Sequence, residues 1–296
     1  MHSSMSTSSA EPTVTVVIGS NAPAARLVAC LEALAPQCDE GVEVLIHEGE
    51  ESPAELRARF PWARFSVSPG ALVPEHWRDG IDSASGEIVA LTIAQMIPAP
   101  DWIAAVRRLH AEHEAVGGAI DPGSGLRLVD WAEYFCRYAR DMRPFAARPN
   151  PDLPGDNVAF RRSRLEEIAA SLRDGYWEPV AHPELERRGV TLWHTPELVV
   201  RMGRSAGFAA FARQRLRHGR RYGHQRGANF SRPRNLVGVL GAPAVPLVMT
   251  ARVLLQVFSK GRFRARAVAS LPAIVAYNMV WAYAEARGHA DILLGR

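Results

Sequence analysis

A single lysine, Lys260, stands among the 35 basic residues of this 296-residue chain, so its positive charge is almost wholly guanidinium. The GxxxxGK[ST] phosphate loop occurs nowhere, which argues against a P-loop NTPase. The turn after the first apolar run is Gly19-Ser-Asn-Ala-Pro23 rather than GxGxxG, so the dinucleotide fingerprint is missing too. Cysteine is scarce. Cys30, Cys38 and Cys136 are odd in number and lack CxxC spacing, which argues against a disulfide framework or a structural zinc site and suits a reducing compartment. No HExxH occurs, so His110, Glu112, His113 and Glu114 read as a solvated helix face rather than as metal ligands. The opening MHSSMSTSSAEPT lacks the apolar core of a secretory signal, so no export is expected, and its polar composition predicts disorder over residues 1–12.

Acidic residues are missing from one whole region. From Arg201 to Ala284 there is no Asp or Glu, while the same stretch carries 14 arginines and the one lysine. The net charge of +4 therefore conceals a segment of +15 and a remainder of −11. Such polarity predicts an anionic partner on the C-terminal side: lipid head groups, a pyrophosphate or nucleic acid.

What is present in the N-terminal half is a series of short β-rich runs alternating with helical patterns. Strands are expected at Val14–Ile18, Val42–Ile46, Arg64–Val67, Glu87–Thr92 and Ala115–Ile120. Between them, helices are expected at Ala24–Ala35, where Leu27, Cys30, Leu31 and Leu34 fall on one face, and at Pro53–Phe60, Pro74–Ser85 and Asp101–Glu114. This alternation predicts an α/β fold: a mostly parallel sheet flanked by helices, with ligands at the carboxyl ends of the strands.

The segment VTVVIGSNAPAARLVACLEAL followed by VEVLIHEGE resembles the opening of family-2 glycosyltransferases with the GT-A fold. The likeness continues through Gly80-Ile81, Ala84-Ser-Gly86-Glu-Ile-Val89 and Pro98-Ala-Pro100-Asp-Trp102, and resumes at Gly155-Asp-Asn157-Val-Ala-Phe160-Arg-Arg162. It spans residues 13 to 226, and the order and spacing of the pieces carry it. The resemblance implies a nucleotide diphosphate sugar donor bound beside the first two strands. Ser20 and Asn21 lie in the first polar turn and Glu48 ends the second strand, where the family places an acid on the base or ribose. Asp156 and Asn157 fall in a loop that borders the donor sugar or acceptor; turn chemistry alone also favours Gly-Asp-Asn there. The family commonly holds a divalent cation, magnesium or manganese, on an Asp-x-Asp motif after its fourth strand. Here that segment is Leu91-Thr-Ile-Ala-Gln95-Met-Ile-Pro98, which has no carboxylate and only the neutral oxygen of Gln95 to offer. No ordinary metal site is therefore expected. Arginines neutralise the diphosphate, the metal has other ligands, or catalysis has been lost.

Inverting transfer needs a carboxylate that takes the proton of the attacking hydroxyl. The family's acid precedes a helix ending in Arg-Leu-x-x-x-Gly, and Trp177-Glu178-Pro-Val-Ala-His182-Pro-Glu-Leu-Glu-Arg-Arg-Gly189 occupies that position, with Glu178 on the acid. Pro179 suits a first helical turn, where an acid also complements the helix dipole. His182, one turn on, reads as a structural histidine. Farther on, Gln214, Arg217 and His218 partly match the family's QxxRW motif, implying that Arg217 offsets the charge of the leaving pyrophosphate. Leu236–Ala251 and Ala267–Ala284 are uncharged but shorter than the ~20 residues of a full span. With arginines around their connection they suit in-plane or re-entrant helices, or one to two membrane helices; a buried soluble helical pair is the third alternative, against which the flanking arginines argue.

Together these features predict a disordered stretch at 1–12, a GT-A-like catalytic domain at 13–205 and a basic, membrane-associated helical region at 206–296. The expected activity is inverting transfer of a sugar to a lipid-linked or glycan acceptor of the cell envelope, at the cytoplasmic face of an anionic membrane. The alternative is a catalytically degenerate binding or scaffold protein of the same fold. A nucleic-acid partner is not expected, because the apolar runs and aromatics around the arginines suit lipid better than a groove-tracking surface.

Overall fold

The computed structural model describes residues 13–295, so the disorder expected for residues 1–12 lies outside the described residues. The chain divides into two compact units. One comprises residues up to Gly118 with Ala147–Val199; the other comprises Ala119–Ala146 with residues from Val200 onward.

The first unit is built on the alternation seen in the sequence. In order it holds β1 (Val14–Ser20), α1 (Ala24–Leu34), β2 (Val42–Glu48), α2 (Ala54–Arg59), β3 (Ala63–Val67), α3 (Val73–Ser83), β4 (Ile88–Ile93), β5 (Met96–Pro98) and α4 (Trp102–Leu109). β6 (Ala115–Pro122) starts in this unit and α5 (Leu128–Tyr138) belongs to the other. β7 (Arg148–Pro149), β8 (Asn157–Arg161), α6 (Arg162–Glu167) and α7 (Glu178–Arg187) follow in the first, and β9 (Leu192–Met202) begins there. The strand order is β3-β2-β1-β4-β8-β6-β9-β5, with β7 on β9. β1 is parallel to both neighbours, β2 and β4, and β2 is parallel to β3. All seven residues of β1 and all six of β4 are buried, as central parallel strands covered on both faces require. β8 lies antiparallel between β4 and β6, so the sheet is mixed beyond its parallel core.

α3 covers β1 closely. Its buried residues Pro74, Trp77, Gly80 and Ile81 recur at helical spacing. Gly80 is the contact point: a Cβ there would overlap the Val17 side chain, so only glycine lets the helix settle at this depth. α4 ends at Leu109, five residues before the expected Glu114. His110 is buried rather than solvated, its Nδ1 donating to the Val106 carbonyl at 2.9 Å. His113 stacks on Trp193 with ring centroids 4.5 Å apart.

The second unit is helical. To α5 it adds α8 (Phe208–Ala228), α9 (Arg232–Leu240), α10 (Val245–Lys260), α11 (Arg264–Ala269) and α12 (Leu271–Leu293). α8 and α12 pack backbone to backbone through a run of small residues. A Cβ on Gly219 would lie 2.9 Å from that of Ala284, one on Gly223 would overlap the Glu285 carbonyl, and one on Gly288 would overlap the Arg220 carbonyl. Polar side chains key the other helices to this pair. Arg215 is buried, donating to the Tyr277 carbonyl at 2.9 Å and to Asn278 Oδ1 at 3.3 Å. Its guanidinium stands 4.9 Å from the Trp281 ring centroid. Asn278 in turn donates to Thr250 Oγ1 of α10 at 3.1 Å and accepts from Cys136 of α5 at 3.7 Å. The Arg215 and Asn278 side chains are thus paired within the seam, whereas the buried Tyr277 hydroxyl has no hydrogen-bond partner.

Candidate functional site

The carboxyl ends of β1, β2 and β4 lie side by side, because the three strands are parallel and in register from Val14, Val42 and Ile88. Ser20 and Glu48 face each other across the end of the β1–β2 pair. Asn21, just beyond, donates through Nδ2 to the Ala71 carbonyl at 2.9 Å, and its Oδ1 lies 3.2 Å from His76 Nε2. Burial lowers the pKa of His76 and that of His47, so both are held neutral around neutral pH. Glu48 is buried. Its carboxylate accepts from the Ser52 backbone at 2.9 Å, from the Ser52 hydroxyl at 2.5 Å and from Arg57 at 2.9 Å. It therefore fixes the loop after β2 through three donors of its own chain.

Trp77 holds the centre of this end of the sheet. Its indole N–H donates to the Thr92 carbonyl at 2.8 Å, tying α3 to the end of β4. A Cβ on Gly19 would come within 3.2 Å of the indole nitrogen, and one on Gly155 within 3.1 Å of the ring. Two glycines, one in β1 and one in the Gly155-Asp-Asn157 segment, thus make room for the same ring. Thr92 extends the link: its hydroxyl donates to the Asp156 carbonyl at 3.0 Å.

Glu178 meets this cluster from the other side. It is the first residue of α7 and half-buried, with Trp177 as N-cap. Its Oε1 lies so close to Gly155 that a Cβ there would overlap it. The helix start is pinned by its neighbours. Gly175 has φ +114°, a left-handed value suited to glycine, and this brings the Tyr176 amide to the Pro74 carbonyl at 2.8 Å. The Tyr176 hydroxyl and His182 Nε2 are 2.9 Å apart in the core, so His182 has the structural partner expected of it. Glu178, Gly155, Asp156, Trp77 and Thr92 are therefore brought together at the strand ends. A helix N-terminus favours negative charge on a carboxylate placed there.

Asn157 does something else. It is fully buried, accepts from Trp102 Nε1 at 2.9 Å and donates to the Leu198 carbonyl at 2.9 Å. Both bonds are to its own chain, so it locks β8 in place beneath the loop that carries Asp156.

The β4–β5 turn is Ala94-Gln95, with the Ala94 amide donating to the Gly19 carbonyl at 3.3 Å. It brings no carboxylate, and among the described residues no group of three or more His, Cys, Asp and Glu is placed to hold a metal ion. A hard divalent cation takes oxygen ligands, usually carboxylates, so this donor set does not fit one held by the protein.

In the second unit, Gln214 is half-buried on α8 and Arg217 is exposed, whereas Arg215 between them is buried in the seam. Burial first, then Arg137 and Arg217, pushes the His218 imidazole down to about 3. That Arg215 rather than Arg217 is the structural arginine is not legible in the sequence.

No protein-family model matches this sequence, and no curated protein matches it. Its fold is similar to that of a mannosyltransferase from Pyrobaculum calidifontis solved with GDP-Man and Mn2+. The two agree with a TM-score of 0.52 at 17% identity, over 96% of this chain and 87% of the other. The architecture is thus GT-A-like: a curled, mostly parallel sheet flanked by helices.

Proposed function

We propose that this protein is an inverting glycosyltransferase. It moves a sugar from a nucleotide diphosphate sugar to a lipid-linked or other cell-envelope acceptor at the cytoplasmic face of the membrane. The observation that carries the proposal is the approach of the Glu178 carboxylate to Gly155-Asp156 at the carboxyl ends of β1 and β4, where sheets of this kind bind ligands. The GT-A-like fold, shared with a protein solved with a sugar nucleotide, supports it.

In this proposal Glu178 accepts the proton of the acceptor hydroxyl as its oxygen attacks the anomeric carbon. The bond from that carbon to the diphosphate breaks on the opposite side, so the configuration inverts. Ser20 and Asn21 border the nucleotide and Asp156 the donor sugar. Glu48 and Asn157 serve this pocket by holding its walls, through the bonds to Ser52 and Arg57 and to Trp102 and Leu198. Gln95 lines the turn after β4. Roles for Gln214 and Arg217, the latter offsetting charge on the leaving diphosphate, rest on the sequence resemblance. Residues 13–205 would form the catalytic part and 206–296 the membrane-associated part.

The test is calorimetric titration of the whole chain with a panel of nucleotide diphosphate sugars, with and without magnesium or manganese. Binding of one donor supports the proposal, and its dependence on the cation shows whether one enters with the donor. A second reading, a non-catalytic binding or scaffold protein of the same fold, is favoured by the carboxylate-free Ala94-Gln95 turn. It predicts no turnover of any donor.

A further inference from the structure

One helical stretch among the described residues, Ala242–Lys260, is long and apolar enough to cross a membrane by length and composition. Its packing points elsewhere. The face of α10 bearing Thr250, Val253 and Val257 is buried, and Thr250 is hydrogen-bonded to Asn278 of α12. The C-terminal end is clamped. Lys260 donates to the carbonyls of Arg140 and Met142, and Arg262 donates to the Arg143 carbonyl at 2.8 Å and lies 3.4 Å from the buried Asp121. α10 is thus one layer of a packed unit. Crossing a bilayer would strand these buried polar groups in hydrocarbon or tear the helix from its partners.

The opposite face of α10 is bare and apolar. Leu247 is 74% exposed and Leu255 70%, with Val248 and Phe258 beside them at helical spacing. α9, immediately before, exposes Val237 and Leu240 to a similar degree. Arg252 stands on the same exposed face, midway along the 16 residues of α10. In a spanning helix it would sit near the bilayer centre facing lipid, where ionised side chains are rare and costly. In a helix lying flat it reaches the head groups. Arg232, Arg234, Arg264 and Arg266, all exposed, flank the patch, and no acid occurs from Arg201 to Ala284 to offset them.

We infer that α9 and α10 bind an anionic lipid surface in the plane of the membrane, the bare apolar face of α10 sunk among the upper acyl chains and the arginines on phosphates, with no segment of α10 spanning the bilayer. This deepens the membrane part of the function proposed above and is independent of the transfer chemistry. A chain that binds no donor but binds vesicles keeps the inference; one that turns over donor but stays off vesicles loses it.

The experiment is flotation of the whole chain with phosphatidylcholine vesicles with or without phosphatidylglycerol, followed by alkaline carbonate extraction. The expected result is binding at least about tenfold stronger to the anionic vesicles, release by carbonate, and a loss of about tenfold or more in the Leu247→Asp/Leu255→Asp double variant. Because both side chains point outward, that variant should keep the wild-type circular dichroism spectrum. Arg252→Glu, which leaves the apolar face intact, should weaken binding to anionic vesicles only. Carbonate-resistant insertion, equally into neutral and anionic vesicles, would mean a spanning helix and overturn the inference. So would failure to bind vesicles together with self-association that the double variant abolishes, which would assign the face to a second copy of this chain.

Discussion

The two units solve opposite surface problems. Among the described residues fifteen large hydrophobic side chains stand exposed; of these the first unit contributes only Val67, and all the others, from Leu128 to Leu294, belong to the second. The first unit puts its apolar runs into β1 and β4, and its exposed surface is dominated by paired charges such as Arg107 with Asp39 and Arg108 with Glu197. The second keeps buried polar groups inside, Arg215 and Asn278 among them, and turns leucine and valine outward. A surface this apolar beside unopposed arginines is suited to a lipid boundary, whereas the first unit is suited to water and a polar ligand. The difference separates a unit whose exposed surface is polar from one whose exposed surface is apolar and rich in arginine.

Five substitutions would break or sharpen that comparison. The largest effect is expected in the first unit: Glu178→Gln keeps the shape of the side chain but not its basicity, and should lower kcat by about 10²- to 10⁴-fold with KM for the donor little changed. An unchanged kcat would remove Glu178 as base. Next, Gly223→Ala should destabilise the second unit by about 2–3 kcal/mol in chemical denaturation, because the Glu285 carbonyl is backbone and cannot move aside. Gly80→Ala in the first unit should cost somewhat less, about 1–2 kcal/mol, since the closest overlap is with a side-chain methyl of Val17 rather than with backbone. Equal losses would show that the two helix contacts are equally yielding.

The next prediction concerns pH. Burial pushes the His110 imidazole down to about 4. Its folded pKa lies below the unfolded value, so the unfolded chain binds the proton first and stability is lost as pH falls from about 6.5 toward 4. Between pH 7 and pH 5 the loss should be about 2 kcal/mol, and His110→Gln should flatten that slope. The smallest effect is expected at Arg217→Lys, which keeps the charge of an exposed residue: stability should change by less than about 0.5 kcal/mol, with any loss confined to turnover.

Much of the first unit is legible in the sequence because its cause is local. Continuous apolar runs mark β1, β2 and β4, and Pro179 followed by Gly189 brackets α7 and so places Glu178 at its start. What was not legible depends on partners far along the chain. The insertion of β8 between β4 and β6 joins Thr92 to Asp156, 64 residues apart. Trp77 becomes the centre of the site only because Gly19 and Gly155 leave space for it. The donors that Ser52 and Arg57 place on the Glu48 carboxylate are likewise set by the folded loop after β2. Arg215 and Arg217 lie two residues apart on one helix, and only the position of α12 decides which is buried.

The most direct test of inverting transfer by Glu178 is the anomeric configuration of the product, read by proton NMR in a reaction with the donor that binds, for the wild-type chain and for Glu178→Gln. The proposal predicts a product of configuration opposite to the donor's, and its rate of formation falling at least about a hundredfold in the variant. A product with the donor's own configuration, or one formed equally fast without the carboxylate, would contradict it.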